Sequence, residues 1–207
     1  GAGTMTPRSL LLAGPPTLAT GCAERTRLAQ PPPSAPEELA QLEARAAGIR
    51  AVREIKRIQH AWAQFAEAGQ WADMATLFTR AGTLSVPPAT ITGRDAVLAH
   101  LRETMGAGRD GLAPDRLNIR LFLTPVITLG TTGHTAKGRW HEVAMTGQFG
   151  YSAHWSGGIH ENDYVLEDGV WKIAAMRYHP QFAGPYGIGW RHVAPVVPMV
   201  PYHYTPD

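Results

Sequence analysis

Residues 34–69 read SAPEELAQLEARAAGIRAVREIKRIQHAWAQFAEAG, and the spacing of their apolar residues decides the fold. Leu39, Leu42, Ala46, Ile49, Val52, Ile55, Ile58, Trp62 and Phe65 recur at three- and four-residue steps. Residues so spaced form one stripe along an α-helix. Ser34 and Glu37 have the spacing of a capping box, Pro36 suits a first turn, and Gly69 suits a helix end. The stretch predicts one long amphipathic helix ending near Gly69.

Working outward, Trp71 to Phe78 reads as a short second helix and Gly82 to Val86 as a short strand. Gly93-Arg94-Asp95 opens a third helix reaching about Thr104. From residue 115 the period changes to two. Leu117, Ile119, Leu121 and Leu123 alternate with Asn118, Arg120, Phe122 and Thr124. Further strands are predicted at 134–146, 149–157, 158–167 and 170–179, with Asp168-Gly169 as a hairpin turn. Helices first and antiparallel strands afterwards make an α+β domain over 34–180.

The flanks differ in composition. Residues 1–33 read as a leader that packs little, and Gly1 to Thr4 ahead of Met5 read as an expression scar. Arg8, the apolar run Ser9 to Gly21 and then Cys22 resemble a lipoprotein signal; the alternative is a leader without an address. A cytoplasmic protein is favoured, and a periplasmic or lipid-anchored one follows if the leader is a signal. Pro31-Pro32-Pro33 looks like a stiff linker. Residues 181–207 form a proline-rich tail carrying Phe182, Tyr186, Trp190, Tyr202 and Tyr204, with no place for a regular helix or central strand. Such a tail is expected to cover its own domain or a neighbouring subunit.

Composition excludes several classes. Of 207 residues, 44% are hydrophobic and 17% charged, enough for a sizeable core. A net charge of +2 without a basic run gives no electrostatic footprint for nucleic acid. One cysteine, Cys22, permits neither an intrachain disulfide nor a CxxC metal site. The nine histidines are scattered, with no HExxH pair, so no metal is expected. There is no GxSxG elbow and no dinucleotide fingerprint after a strand.

The long helix, Trp71, Leu77-Phe78, Gly93-Arg94 and the closing Asp168-Gly169-Val170-Trp171-Lys172-Ile173 resemble, in order and spacing, the SnoaL-like branch of the nuclear transport factor 2 superfamily. The resemblance implies a cone: a curved antiparallel sheet wrapped around the long N-terminal helix, with an apolar pocket at its open end. Glu161-Asn162-Asp163-Tyr164 and Tyr178-His179-Pro180-Gln181-Phe182, with Pro185-Tyr186 and Gly189-Trp190, resemble a bacterial subgroup. That subgroup includes cofactor-independent formaldehyde-releasing lyases acting on lignin-derived diarylpropanes. The resemblance implies a lyase eliminating formaldehyde or water from a hydrophobic aromatic substrate, with no cofactor. A ligand-binding or assembly module, or an isomerase, is the alternative on the same fold. An apolar outer sheet face implies a homo-oligomer, with dimer and trimer both open.

Candidate site residues follow from faces. His60, Gln64 and Glu67 share one helix face, bordering the stripe that holds Trp62 and Phe65. In scytalone dehydratase, a relative by fold, a Tyr-Asp pair precedes the tryptophan of the second helix. Counting back from Trp71 puts Ala66 and Glu67 there, which keeps the carboxylate and loses the tyrosine. On 139–145 the resemblance turns Arg139 and His141 inward; the opposite parity would turn Trp140 and Glu142 inward instead. His160 and Asn162 share a face on a later strand, and Met176 and Tyr178 follow on the last. Asn118 falls where the relative has a pocket histidine. Proton transfer at an activated carbon suits an imidazole beside a buried carboxylate. Glu67 with His141 or His160 is therefore the expected acid–base pair. His60, Trp62, Gln64, Phe65, Asn118, Arg139, Asn162, Met176 and Tyr178 are the expected substrate-binding residues.

Overall fold

The computed structural model describes residues 34–188. The Cys22 leader and Trp190, Tyr202 and Tyr204 lie outside the described residues. In chain order the elements are α1 (Ala35–Ala68), α2 (Trp71–Thr76), β1 (Phe78–Val86), β2 (Ala89–Thr92), α3 (Arg94–Thr104), β3 (Arg116–Leu129), β4 (Thr135–Gln148), β5 (Ser152–Glu167) and β6 (Val170–Pro185).

Helix α1 has the predicted ends. At its start the Ser34 backbone N–H and hydroxyl both donate to the Glu37 carboxylate, at 2.7 and 2.8 Å. At its end Gly69 adopts φ 70°, the left-handed conformation that costs glycine least. The apolar stripe is only half used. Ile55, Ile58, Trp62 and Ala66 are buried, whereas Leu39, Leu42 and Ile49 are exposed. The sheet covers the C-terminal half of the helix, and α1 extends past it at the N-terminal end.

The strands form one six-stranded sheet in the order β2-β1-β6-β5-β4-β3. Its pairs are antiparallel except β1 with β6, which is parallel. Register shifts interrupt β3, the β5–β6 ladder and the β1–β6 ladder. Such bulges bend strands and increase twist, so the sheet curls without closing. Its concave face packs on α1 through Trp140, Tyr164, Ile173 and Met176, while Trp71, Met74 and Phe78 fill the end beneath α2. The Gly93-Arg94 turn has a mechanical role: the Arg94 guanidinium donates to the Phe78 carbonyl at 2.6 and 3.1 Å, tying α3 to the start of β1. No described helix is long and apolar enough to cross a membrane.

Three expectations are corrected. The strands read at 149–157 and 158–167 form one strand, β5, which starts at Ser152 after a turn at 149–151 and runs on through a bulge at Gly157/Gly158. The short strand β2 was not predicted; it pairs with β1 across the Pro87-Pro88 turn. Strand β6 continues through Pro180 to Pro185, into the span read as tail. Its pairing with β1 ends at Arg177, so those prolines lie where one side of β6 has no strand neighbour among the described residues to receive an N–H.

The half-covered stripe yields a contrast. Ile55→Ala should destabilise the domain by about 2–5 kcal/mol in denaturant unfolding, whereas Ile49→Ala should stay within about 0.5 kcal/mol of the parent.

Candidate functional site

Side-chain parity on β4 is set by what can be buried. Ala136, Trp140, Glu142 and Ala144 face the concave side, while His141 is exposed on the convex one. The expected orientation of Arg139 and His141 is therefore reversed. His141 Nδ1 bonds the Thr124 hydroxyl at 2.7 Å on the outer face. Arg139 pairs there with Glu161 at 2.7 Å.

Inward-facing residues enclose a chamber of about 450 Å3 between the sheet, α1 and α3. Trp62, Leu84, Leu101 and Met105 give it apolar walls. Its mouth is bordered by Pro87-Pro88 and by His100 and Thr104 of α3. The polar group inside comprises Arg120, Glu142, Ser156, His160 and Tyr178.

Glu142 is the centre of that group. Its residue is 2% exposed and that of His160 is 4% exposed. One carboxylate oxygen of Glu142 accepts from Arg120 Nη1, and the other bonds His160 Nε2. Arg120 is oriented in turn through its Nε, which donates to Asn118 Oδ1 at 3.1 Å. Burial on its own raises the Glu142 carboxyl. The His160 hydrogen bond and charge, with the Arg120 guanidinium, outweigh burial and hold it below the usual carboxylate range. Glu142 is thus an acceptor, and the His160 Nε2 proton belongs between the pair. The other ring nitrogen, Nδ1, is buried with no hydrogen-bond partner among the described residues.

Tyr178 packs against this imidazole at a tilt of 42°, with ring centroids 4.8 Å apart. Phe122 meets the same ring edge-on at 5.1 Å. Burial, then the charge of Glu142, push the Tyr178 phenol up to about 12, so it remains protonated at neutral pH; it also bonds Ser156. Gly158 makes room for this ring: a Cβ there would lie 2.6 Å from a Tyr178 ring carbon. Deeper in, Gln59 Oε1 accepts from Asn162 Nδ2 at 2.9 Å and from the Tyr164 hydroxyl at 3.1 Å. Trp140 Nε1 donates to that same hydroxyl at 3.1 Å.

The remaining expected residues divide plainly. Trp62, His160 and Tyr178 line the chamber. Asn118 is buried beside it and donates to the Ala66 carbonyl at 3.3 Å. Asn162 and Met176 are fully buried behind the wall, and Phe65 packs half-buried on the core. Glu67, Gln64 and His60 are exposed. His60 meets Trp140 edge-on, with centroids 6.3 Å apart. The expected helix face was one position off: Gln59 faces inward, and its neighbour His60 does not. Glu67 cannot act as the chamber's carboxylate; Glu142 occupies that place. The residues missed were Arg120, Glu142 and Ser156. Glu142 was the other outcome of the β4 parity, and cross-strand matching with Arg120 was the signal that could have chosen it. Among the described residues no group of three or more His, Cys, Asp or Glu side chains could hold a metal ion.

The depressed Glu142 carboxyl fixes a sign. A folded-state value below the unfolded one contributes stability that is present above the ordinary carboxylate value of 4.5 and lost as pH falls through the folded value. Glu142→Gln leaves Arg120 without its buried counter-charge, so at pH 7 it should unfold about 3 kcal/mol more easily. In thermal melts that gap should shrink as the medium is taken below the ordinary carboxylate range.

Comparison with known proteins agrees with this architecture. A SnoaL-like domain is matched over residues 47–177. No curated protein matches the chain in sequence. Among solved structures, the chain is similar to a scytalone dehydratase-like protein of Novosphingobium aromaticivorans. The two share 19% identity over 76% of this chain and 99% of that one, at a TM-score of 0.61. It is similar also to an NTF2-like protein with a cystatin-like fold from the same organism, with 19% identity over 68% and 88% of the two chains and a TM-score of 0.50. A third is ActVI-ORFA from Streptomyces coelicolor, with 12% identity over 62% and 96% and a TM-score of 0.53. At such identities the structures speak for the fold alone. The match over residues 47–177 spans most of the domain that carries the chamber, and the chain belongs to the SnoaL-like domain family.

Proposed function

We propose that the chamber is the active site of a cofactor-independent lyase that releases formaldehyde or water from a hydrophobic aromatic substrate. The observation carrying this reading is His160. Its Nε2 is held by Glu142 while its Nδ1, buried and without a partner among the described residues, is left for a ligand. An imidazole so held has one fixed tautomer and one available lone pair, as a general base requires.

The chemistry can be written for a 1,3-diol bearing two aryl groups. His160 Nδ1 takes the proton of the terminal hydroxyl. That oxygen forms the carbonyl of formaldehyde as its C–C bond breaks. The released electron pair forms the carbon–carbon double bond and expels the benzylic hydroxyl. Tyr178, kept protonated, donates to that oxygen, which leaves as water. The products are a stilbene, formaldehyde and water, with no oxidant required. In simple dehydration, Nδ1 removes a carbon-bound proton instead and the same donor serves. His160 and Tyr178 are the catalytic residues; Glu142 and Arg120 are positioning residues. Trp62, with a buried indole N–H lacking a partner among the described residues, would hold the substrate by ring contact and by donation. Lignin-derived diarylpropanes fit this description and rest on the sequence resemblance.

Purified chain incubated with a diarylpropane diol should release formaldehyde and develop stilbene absorbance. His160→Gln should lower kcat about 10²–10⁴-fold, and Tyr178→Phe should lower it by roughly tenfold or more. Glu67→Gln and His141→Gln should leave it unchanged. Neither product from the parent protein would reject the reading for this substrate.

A further inference from the structure

Beside the chamber lies a second cavity of about 250 Å3 that has a different character. It shares Thr104, Met105 and Arg120 with the chamber. Its remaining lining includes Arg116, Asn118, Thr146, Ser152 and His154. Two guanidinium groups, an imidazole, hydroxyls and an amide face one small space, and among the described residues no aspartate or glutamate lines it.

This concentration follows from the strand register. Arg116, Asn118 and Arg120 stand at alternate positions of β3 and therefore share the concave face. Across the ladder Asn118 is opposite Thr146, which is opposite His154 on β5; Arg120 is opposite Ala144, which is opposite Ser156. Toward the open end of the sheet the inner face thus changes from Trp140 and Tyr164, through the Glu142 cluster, to a polar row of Asn118, Thr146 and His154 beside Arg116. Arg120 joins the two spaces, with its Nη1 on Glu142 and its Nε on Asn118. Glu142 offsets Arg120 from the chamber side. Arg116 forms no ion pair with any described carboxylate, and neither does His154.

We infer that this cavity is a subsite for a carboxylate, and that the chamber prefers a ligand bearing an aryl carboxylate, its ring among Trp62, Leu84 and Met105 and its acid group meeting Arg116, Arg120 and His154. A planar carboxylate matches a guanidinium fork in two parallel hydrogen bonds. The Arg116 charge, which no described carboxylate offsets, makes the site selective for an anion over a neutral isostere. The inference rests on the reading of the chamber as a ligand site and ranks an acid-bearing aryl substrate above its neutral counterpart.

The test compares biphenyl-4-carboxylate with neutral biphenyl-4-carboxamide by titration calorimetry on the full chain. The carboxylate should bind roughly tenfold more tightly, and its advantage should shrink as salt is raised. In Arg116→Gln/His154→Gln, two exposed positions outside the catalytic machinery, that advantage should vanish while carboxamide affinity stays within about twofold of the parent. Equal binding of both probes by the parent overturns the subsite and leaves the chamber reading standing. So does an advantage that survives the double substitution, or a substitution that weakens both probes alike. Binding of neither probe overturns both.

Discussion

A carboxylate placed in an apolar chamber must be matched there by a cation and by hydrogen bonds, or it will take up a proton. Glu142 is matched on both oxygens, by Arg120 from β3 and by His160 from β5. Three adjacent strands are therefore joined by one buried ionic group, in addition to their backbone ladders. Its position follows from the direction in which β4 faces. Shifting β4 by one residue would bury His141 and send Glu142 to solvent. The chemistry of the chamber and the packing of the sheet thus depend on the same choice.

Behind that group the wall is stiffened by neutral hydrogen bonds. Gln59 reaches from α1 to Asn162 and Tyr164 on β5, and Tyr164 takes the indole N–H of Trp140 on β4. These bonds tie α1 to β4 and β5, although Gln59 Nε2 and Asn162 Oδ1 remain buried without partners among the described residues. At the bulge at Gly157/Gly158, only a residue without Cβ leaves room for the Tyr178 ring beside His160. The imidazole is consequently confined by Glu142 at Nε2, by Tyr178 on its face and by Phe122 at its edge, with Nδ1 the one polar atom not engaged.

Much of the fold was legible in the sequence because its signals are local. The Ser34–Glu37 box, Gly69, the Gly93-Arg94 turn and Asp168-Gly169 each act within a few residues, and each occurs as read. The site was less legible because strand alternation gives a period without a sign. On β3 and β4 the convex face carries Leu121, Leu123, Val143 and Met145, which look as core-forming as the residues that are buried. The charged pair Arg120 and Glu142 is on the inner face, against the usual expectation that charge faces water. Two charges can be placed there because each meets the other, which is a property of pairing across strands. Glu67 was misplaced for a related reason: its helix face was inferred by counting from Trp71, and the face that meets the sheet is decided one residue away, at Gln59.

The central claim is that Glu142 holds the Nε2 proton of His160 and leaves Nδ1 as the base. Nitrogen-15 and proton correlation spectra of histidine-labelled protein report this directly, taken at a pH where the ring is neutral. The account predicts a protonated Nε2 and an unprotonated Nδ1 for His160, with that preference lost in Glu142→Gln. A proton on Nδ1, or a tautomer indifferent to Glu142→Gln, would contradict it.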